Sequence, residues 1–278
     1  MVFLLKISTM KLKTSLLTIL LCISFISKGA VVDTTFVYST SMNQKIEVII
    51  ISPNDKNTSK PVVYLLHGHG GNAKHWISYK PELKEIADQN NWIFVCPDGK
   101  DSWYWDSPKD TTYKYETFII KELISFIDNK YPTIKERTAR AITGLSMGGH
   151  GAIWLAFRHK DIFGVVGSTS GGLDIRPFPH NWCAKLLGEE YTNKDLWNQY
   201  TAINLIDRLK NKELDIIIDC GYDDFFFEVN NNFHKKLLSY KIDHDFIVRP
   251  GMHNWDYWKN SIEYQFLFFY NYFAKEHK

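Results

Sequence analysis

Gly144-Leu145-Ser146-Met147-Gly148 is the segment of this chain best suited to chemistry, because it places a serine between two glycines at the end of an apolar run, Arg140 to Thr143. A serine hydroxyl becomes a useful nucleophile when it is exposed on a sharp turn, next to a base, and near donors that hold a developing oxyanion. The Ala-rich stretch that follows, Met147 to His159, predicts a helix whose positive end points at the reacting carbonyl. A second candidate element is His67-Gly68-His69-Gly70-Gly71, directly after Val62 to Leu66. A glycine-rich turn there brings a backbone N–H toward the same oxyanion, and the expected donors are the amides of His69 and Met147. His-x-His is also a metal-ligand spacing, but the nearby acidic third ligand is missing, so neither a metal nor another cofactor is expected.

A nucleophilic serine needs a base and an acid, each expected just past a later strand, in the order Ser, Asp, His. The run Leu214 to Cys220 leads to Asp223 and Asp224, which compete for the role of acid, while Asp219 lies inside the run and reads as a structural hydrogen-bonding residue. His253 follows Asp245 to Met252 and sits on a Pro-Gly loop that is free to reach into a cleft. His150 reads as a packing residue of the nucleophile helix.

The elements that must position these groups alternate. Strand-like runs are expected at Lys45 to Ile51, Pro61 to Leu66, Trp92 to Cys96, Arg140 to Thr143, Gly164 to Ser168, Leu214 to Cys220 and Asp245 to Val248. Helical spacing is found at Glu82 to Gln89, Tyr115 to Lys130, Met147 to His159, Phe226 to Tyr240 and Ser261 to Ala274. Alternation of this kind predicts an α/β fold, a mostly parallel central sheet with helices on both faces, and ligands at the carboxyl ends of the strands. Residues 171–200 interrupt the alternation and read as an insertion over that end.

Four motifs together, Gly-Leu-Ser-Met-Gly-Gly, His-Gly-His-Gly-Gly, Asp-Cys-Gly-Tyr-Asp-Asp-Phe and Pro-Gly-Met-His-Asn-Trp-Asp-Tyr-Trp, resemble the esterase D family of α/β-hydrolases from about Asp33 to Ala274. That family includes tributyrin esterases, S-formylglutathione hydrolases, feruloyl and acetyl xylan esterases, and mycolyltransferases of the antigen 85 type. The resemblance implies the α/β-hydrolase fold, a serine carboxylesterase activity, and a triad of Ser146, Asp224 and His253. It favours Asp224 over Asp223 through the Gly-x-x-Asp pattern. Met252 departs from the pattern, since relatives often carry a second glycine before the histidine. Acyl transfer to an alcohol and thioester hydrolysis share the same acyl-enzyme and stand as alternatives, and a catalytically dead binding scaffold is the reading from another class.

The first thirty residues differ from the rest. Lys11 and Lys13 precede an uncharged run from Leu16 to Ile26, and Ser27 to Ala30 supply small residues for a signal peptidase. Residues 1–30 are therefore expected to be a signal peptide and residues 31–278 a single esterase domain, secreted or periplasmic. The apolar run is shorter than the roughly 20 residues a membrane span requires, so no stable membrane insertion is expected. Cys96, Cys183 and Cys220 are an odd set without metal-ligand spacing, and Leu21 before Cys22 argues against lipidation. With 33 basic and 31 acidic residues spread along the chain, the net charge of +2 gives no field that would draw nucleic acid.

Aromatic residues make up 15% of the chain. Trp103, Tyr104 and Trp105 follow Cys-Pro-Asp-Gly at the end of a strand, where Trp103 and Trp105 are the expected contacts for a sugar or an aryl acyl group. Trp255 and Trp258 read as packing. A small-molecule or glycan ester is the expected partner; the sequence gives no oligomeric state.

Overall fold

In a computed structural model, which describes residues 29–178 and 180–276, the expected runs become strands β2 to β8, and one further strand precedes them. Their bounds are Val31–Ser39 (β1), Gln44–Ser52 (β2), Val62–Leu66 (β3), Ile93–Pro97 (β4), Arg140–Gly144 (β5), Val165–Thr169 (β6), Asp215–Gly221 (β7) and Asp245–Arg249 (β8). They form one sheet in the order β1-β2-β4-β3-β5-β6-β7-β8. The β1–β2 and β2–β4 pairs are antiparallel and the other five are parallel. The signal segment expected at 1–30 lies almost wholly outside the described residues, and among those described no helix is long and apolar enough to cross a membrane.

Every residue of β3, β4, β5 and β6 is buried, which is why these strands read as continuous apolar runs rather than alternating ones. Two cores result, one on each face. Val62, Tyr64 and Leu66 point to the face covered by the helix after Ser146, Met147–Arg158, while Val63 and Leu65 point to the face covered by the last helix, Trp255–Glu276. β1 escaped the sequence reading because its outward residues include Phe36 and Tyr38, both more than half exposed, so polarity does not alternate with burial along it.

The last helix begins at Trp255, six residues before the expected Ser261. Asn254 opens it: its Oδ1 accepts the N–H of Tyr257 at 3.0 Å, the hydrogen bond of an N-cap asparagine. The helix starts two residues after His253, so the loop that carries this histidine is anchored by a long packed element. Parallel pairing then brings the turns after β3, β5, β7 and β8 to one edge of the sheet. The register Leu66↔Gly144 lays the glycine-rich turn beside Ser146, and Gly221↔Arg249 lays the two remaining loops side by side.

The last helix is also fastened to the underside of the serine-bearing strand. Gln265, fully buried, accepts a hydrogen bond from the Thr143 hydroxyl and donates one to Thr169 Oγ1 at 2.7 Å. Gly167 makes room for it, since a Cβ there would lie 2.2 Å from Gln265 Oε1. Gln265→Ala removes both bonds and opens a cavity, and is expected to lower the stability by about 3 kcal/mol, read as a shift of the urea midpoint.

Candidate active site

Ser146 sits at φ 56° and ψ −120°, a backbone conformation that L side chains rarely adopt. Four backbone bonds hold it there: Leu145 N–H to Leu66 O at 3.3 Å, Ser146 N–H to Thr169 O at 2.9 Å, and the His150 and Gly172 N–H groups to Ser146 O at 3.1 Å and 3.3 Å. The turn closes only because Gly148 has no side chain; a Cβ there would stand 2.3 Å from Leu66 O and 2.7 Å from His67 O. Strand, turn and helix thus press together around the serine.

His253 Nε2 lies 2.9 Å from Ser146 Oγ, and its Nδ1 lies 2.9 Å and 3.0 Å from the two carboxylate oxygens of Asp224. Asp224 is buried and also accepts the Phe226 N–H at 2.8 Å. Asp223, its competitor, is exposed and turned away, with its backbone N–H bonded to Gly251 O at 3.0 Å. A carboxylate on Nδ1 fixes the tautomer that leaves Nε2 free to take a proton from the serine.

The two loops are locked to each other below the triad. Tyr222 N–H donates to Arg249 O at 3.0 Å, and the approach is so close that a Cβ on Gly221 would meet Gly251 O at 2.2 Å. Asp219, read from the sequence as structural, accepts hydrogen bonds from Tyr257 Oη and Arg249 Nη2. Burial raises its pKa against the pull of these partners. The guanidinium of Arg249 stacks on Tyr264 at 4.1 Å, tying β8 to the last helix.

The glycine-rich turn presents Gly68 and His69 to the serine. Among the described residues, the backbone amides of His69 and Met147 donate to no other backbone group, while the neighbouring Gly70 N–H is taken by Asp101 Oδ1 at 2.6 Å and the Gly71 N–H by Gly68 O at 3.0 Å. The His67 ring is committed to the scaffold: Nε2 accepts the Gly99 N–H at 2.8 Å, so Nδ1 carries the proton that goes to Gly68 O at 2.8 Å. The imidazole braces the turn rather than facing the cleft.

Ser146 opens on a cavity of about 270 Å³ whose walls are mostly aromatic. Trp103 lines it as expected, but Trp105 does not. Trp105 is fully buried behind Trp103, stacked on it at 5.6 Å, with its indole N–H on His150 Nε2 at 2.9 Å. Trp103 and Tyr104 both take a positive φ, so the backbone turns between the two indoles. Four wall residues went unread: His75, Trp182, Phe225 and Phe226. Trp182 comes from the 171–200 insertion and receives the Trp103 indole N–H on its carbonyl at 3.3 Å, so that segment does cover the cleft. Trp255 and Trp258, read as packing, both pack and line; Trp258 stands edge-on to His253 at 4.9 Å.

A mixed sheet of this order, with a serine on a strained strand–helix turn and a histidine–aspartate relay past later strands, defines an α/β-hydrolase. The chain matches the family model described as Putative esterase over residues 39–269, and it belongs to that esterase family. It is similar to an acetyl esterase of Caldicellulosiruptor saccharolyticus, at 26% identity over 81% of this chain and 92% of the relative. It is also similar to an S-formylglutathione hydrolase of Bos taurus, at 27% identity over 77% of this chain and 83% of the relative. Among solved structures, a ferulic acid esterase superposes with a TM-score of 0.76 at 27% identity, over 88% of this chain and 98% of its own. The chain is a hydrolase of carboxylic esters.

One residue behind the site titrates abnormally. His150 is fully buried one turn after Ser146, and burial lowers its pKa from 6.5 to about 4, against the opposing effect of its hydrogen bond to Gly172 O. With its folded pKa below the unfolded value, the unfolded chain takes up the proton first. The stability it contributes is complete above about pH 6.5 and is lost as pH falls toward 4. That interval corresponds to on the order of 3 kcal/mol. Urea unfolding at pH 7 and pH 4.5 is expected to show a larger acid loss in the native protein than in His150→Phe, by about 2 kcal/mol.

Proposed function

We propose that this protein is an exported serine carboxylesterase that removes acetyl or feruloyl groups from plant polysaccharides or their fragments. The observation that carries the reading is the continuous relay from Asp224 through His253 to Ser146, opening directly on an aromatic cleft. His253 Nε2 takes the proton as Ser146 Oγ attacks the ester carbonyl, and the oxyanion forms against the amides of His69 and Met147. The C–O bond to the alcohol breaks, the alcohol oxygen takes the proton from His253, and the acyl group stays on Ser146. Water, deprotonated by the same imidazole, attacks the acyl-enzyme and releases the acid.

Trp103, Trp182 and Phe226 give an aryl acyl group flat faces to lie against, which supports feruloyl alongside acetyl as the transferred group. Export rests on the basic, apolar and small-residue order of residues 1–30. Thioester hydrolysis is the second reading, supported by the Bos taurus relative; a formyl group would leave most of the aromatic wall unused.

Ser146→Ala and Asp224→Asn are each expected to lower kcat for p-nitrophenyl acetate by about 10⁴-fold with melting temperature preserved, whereas Asp223→Asn stays near the native rate. Equal losses at 223 and 224, or retained activity in Ser146→Ala, would overturn the triad. A panel of acetyl xylan, methyl ferulate, p-nitrophenyl butyrate and S-formylglutathione then ranks the substrates. The highest kcat/KM on either of the first two supports the reading, and the highest on S-formylglutathione replaces it with the second.

A further inference from the structure

The cavity at Ser146 is bounded in part by residues with almost no exposure. Trp103, Phe226 and Met147 are all at most 2% exposed, so the space they bound holds a single acyl group and no polymer. The alcohol half of the ester must leave toward solvent on the side of the proton it will receive, which is the side of His253 Nε2. From that imidazole a continuous series of rings runs outward through Trp258 at 4.9 Å, Trp255 at a further 5.4 Å and Tyr79. Tyr79 lies flat on Trp255, with ring centres 4.2 Å apart and planes 9° from parallel, and it is 46% exposed.

This pair is held from below more firmly than surface packing requires. Tyr79 ends a short helix, His75–Tyr79, whose Trp76 donates its indole N–H to Leu66 O at 3.0 Å and meets Trp255 edge-on at 5.5 Å. The next residue, Lys80, is only 5% exposed; its Nζ pairs with Glu263 and donates to Lys259 O at 3.4 Å, both on the last helix. A buried lysine thus fixes the short helix against the element that carries Trp255. The outer ring is already stacked and its helix braced before any ligand arrives, which lowers the conformational entropy lost when something stacks on it. A polar ring flanks it: the half-buried His75 imidazole stands edge-on to Tyr79 at 5.8 Å and to Trp255 at 6.3 Å.

We propose that the Tyr79–Trp255 stack is the platform for the alcohol half of the substrate, and that this half is a sugar ring, whose C–H face suits an aromatic plane and whose hydroxyls suit the imidazole beside it. The inference rests on Ser146 acting as nucleophile on an ester. Tyr79 then sets specificity through the alcohol and touches none of the reacting atoms.

The test compares feruloyl and acetyl esters of a pentose with methyl ferulate and phenyl acetate, in the native protein and in Tyr79→Ala, Tyr79→Phe and Phe225→Ala. The native protein is expected to favour the sugar esters over the methyl ester in kcat/KM. Tyr79→Ala is expected to reduce that ratio about tenfold, through KM rather than kcat, while Tyr79→Phe preserves it. Tyr79→Leu replaces the alanine variant if the latter melts more than a few degrees lower. The proposal is overturned if the native protein shows no sugar preference, if Tyr79→Ala leaves the ratio unchanged or lowers phenyl acetate equally, or if the ratio depends on Phe225 instead. Failure of these ratios with methyl and phenyl esters still hydrolysed through Ser146 removes this inference alone; failure of Ser146→Ala to abolish turnover removes the ester reading beneath it.

Discussion

Ser146 can hold its left-handed backbone only if two strands and a helix approach within van der Waals limits that a single methyl group would violate. Strain of this kind costs on the order of 1–3 kcal/mol and persists only where the surroundings over-determine it. Here Leu66, Thr169 and Gly172 each supply a backbone bond to the turn, Leu66 from β3 and the other two from β6 and the segment just past it. The constraint propagates outward. β3 must stand beside β5 for Leu66 to reach the turn, which places the glycine-rich segment next to the hydroxyl. β6 must stand on the other side for Thr169 to do so, and Gly172 just past it starts the insertion that roofs the cleft.

The placing of His253 and Asp224 depends on a second close approach, between Gly221 and Gly251. The contact of Asp224 with His253 joins the two loops, but it does not hold them alone. Their spacing comes from backbone bonds and from Asp219, Arg249 and Tyr257 packed beneath them. An ion pair this buried adds little net stability, because desolvating the charges offsets their attraction. Its effect lies in geometry: Arg249 also stacks on Tyr264 and so fixes β8, and with it His253, to the last helix.

Most of this arrangement was legible in the sequence because each functional residue follows a run whose apolar character is unambiguous. Ser146, Asp224 and His253 could be placed at strand ends without knowing the sheet order, since parallel pairing brings all such ends to one edge. What escaped had the opposite character. β1 carries exposed Phe36 and Tyr38, so its polarity does not report its burial. The start of the last helix at Trp255 is a cluster of aromatic residues that reads as loop packing, although Asn254 was a usable capping signal. Trp105 was assigned to the cleft because sequence position alone does not say which of two nearby indoles faces outward; the positive φ at Trp103 and Tyr104 decides it, and nothing in the residue types announces that turn.

The aromatic residues divide the labour of the cleft according to burial. Those with almost no exposure, Trp103 and Phe226, belong to the hydrophobic core and also line the cavity at Ser146, so the cavity's shape is set by the packing that stabilises the fold. His150 joins the two, with one ring nitrogen on the indole of Trp105 behind Trp103 and the other on Gly172 at the root of the insertion. A neutral imidazole is required for that bridge, because Nε2 must accept while Nδ1 donates. Burial keeps it neutral well below the usual histidine range. The same desolvation that makes His150 a liability in acid therefore keeps Trp103 and the insertion over it in register with Ser146 at neutral pH.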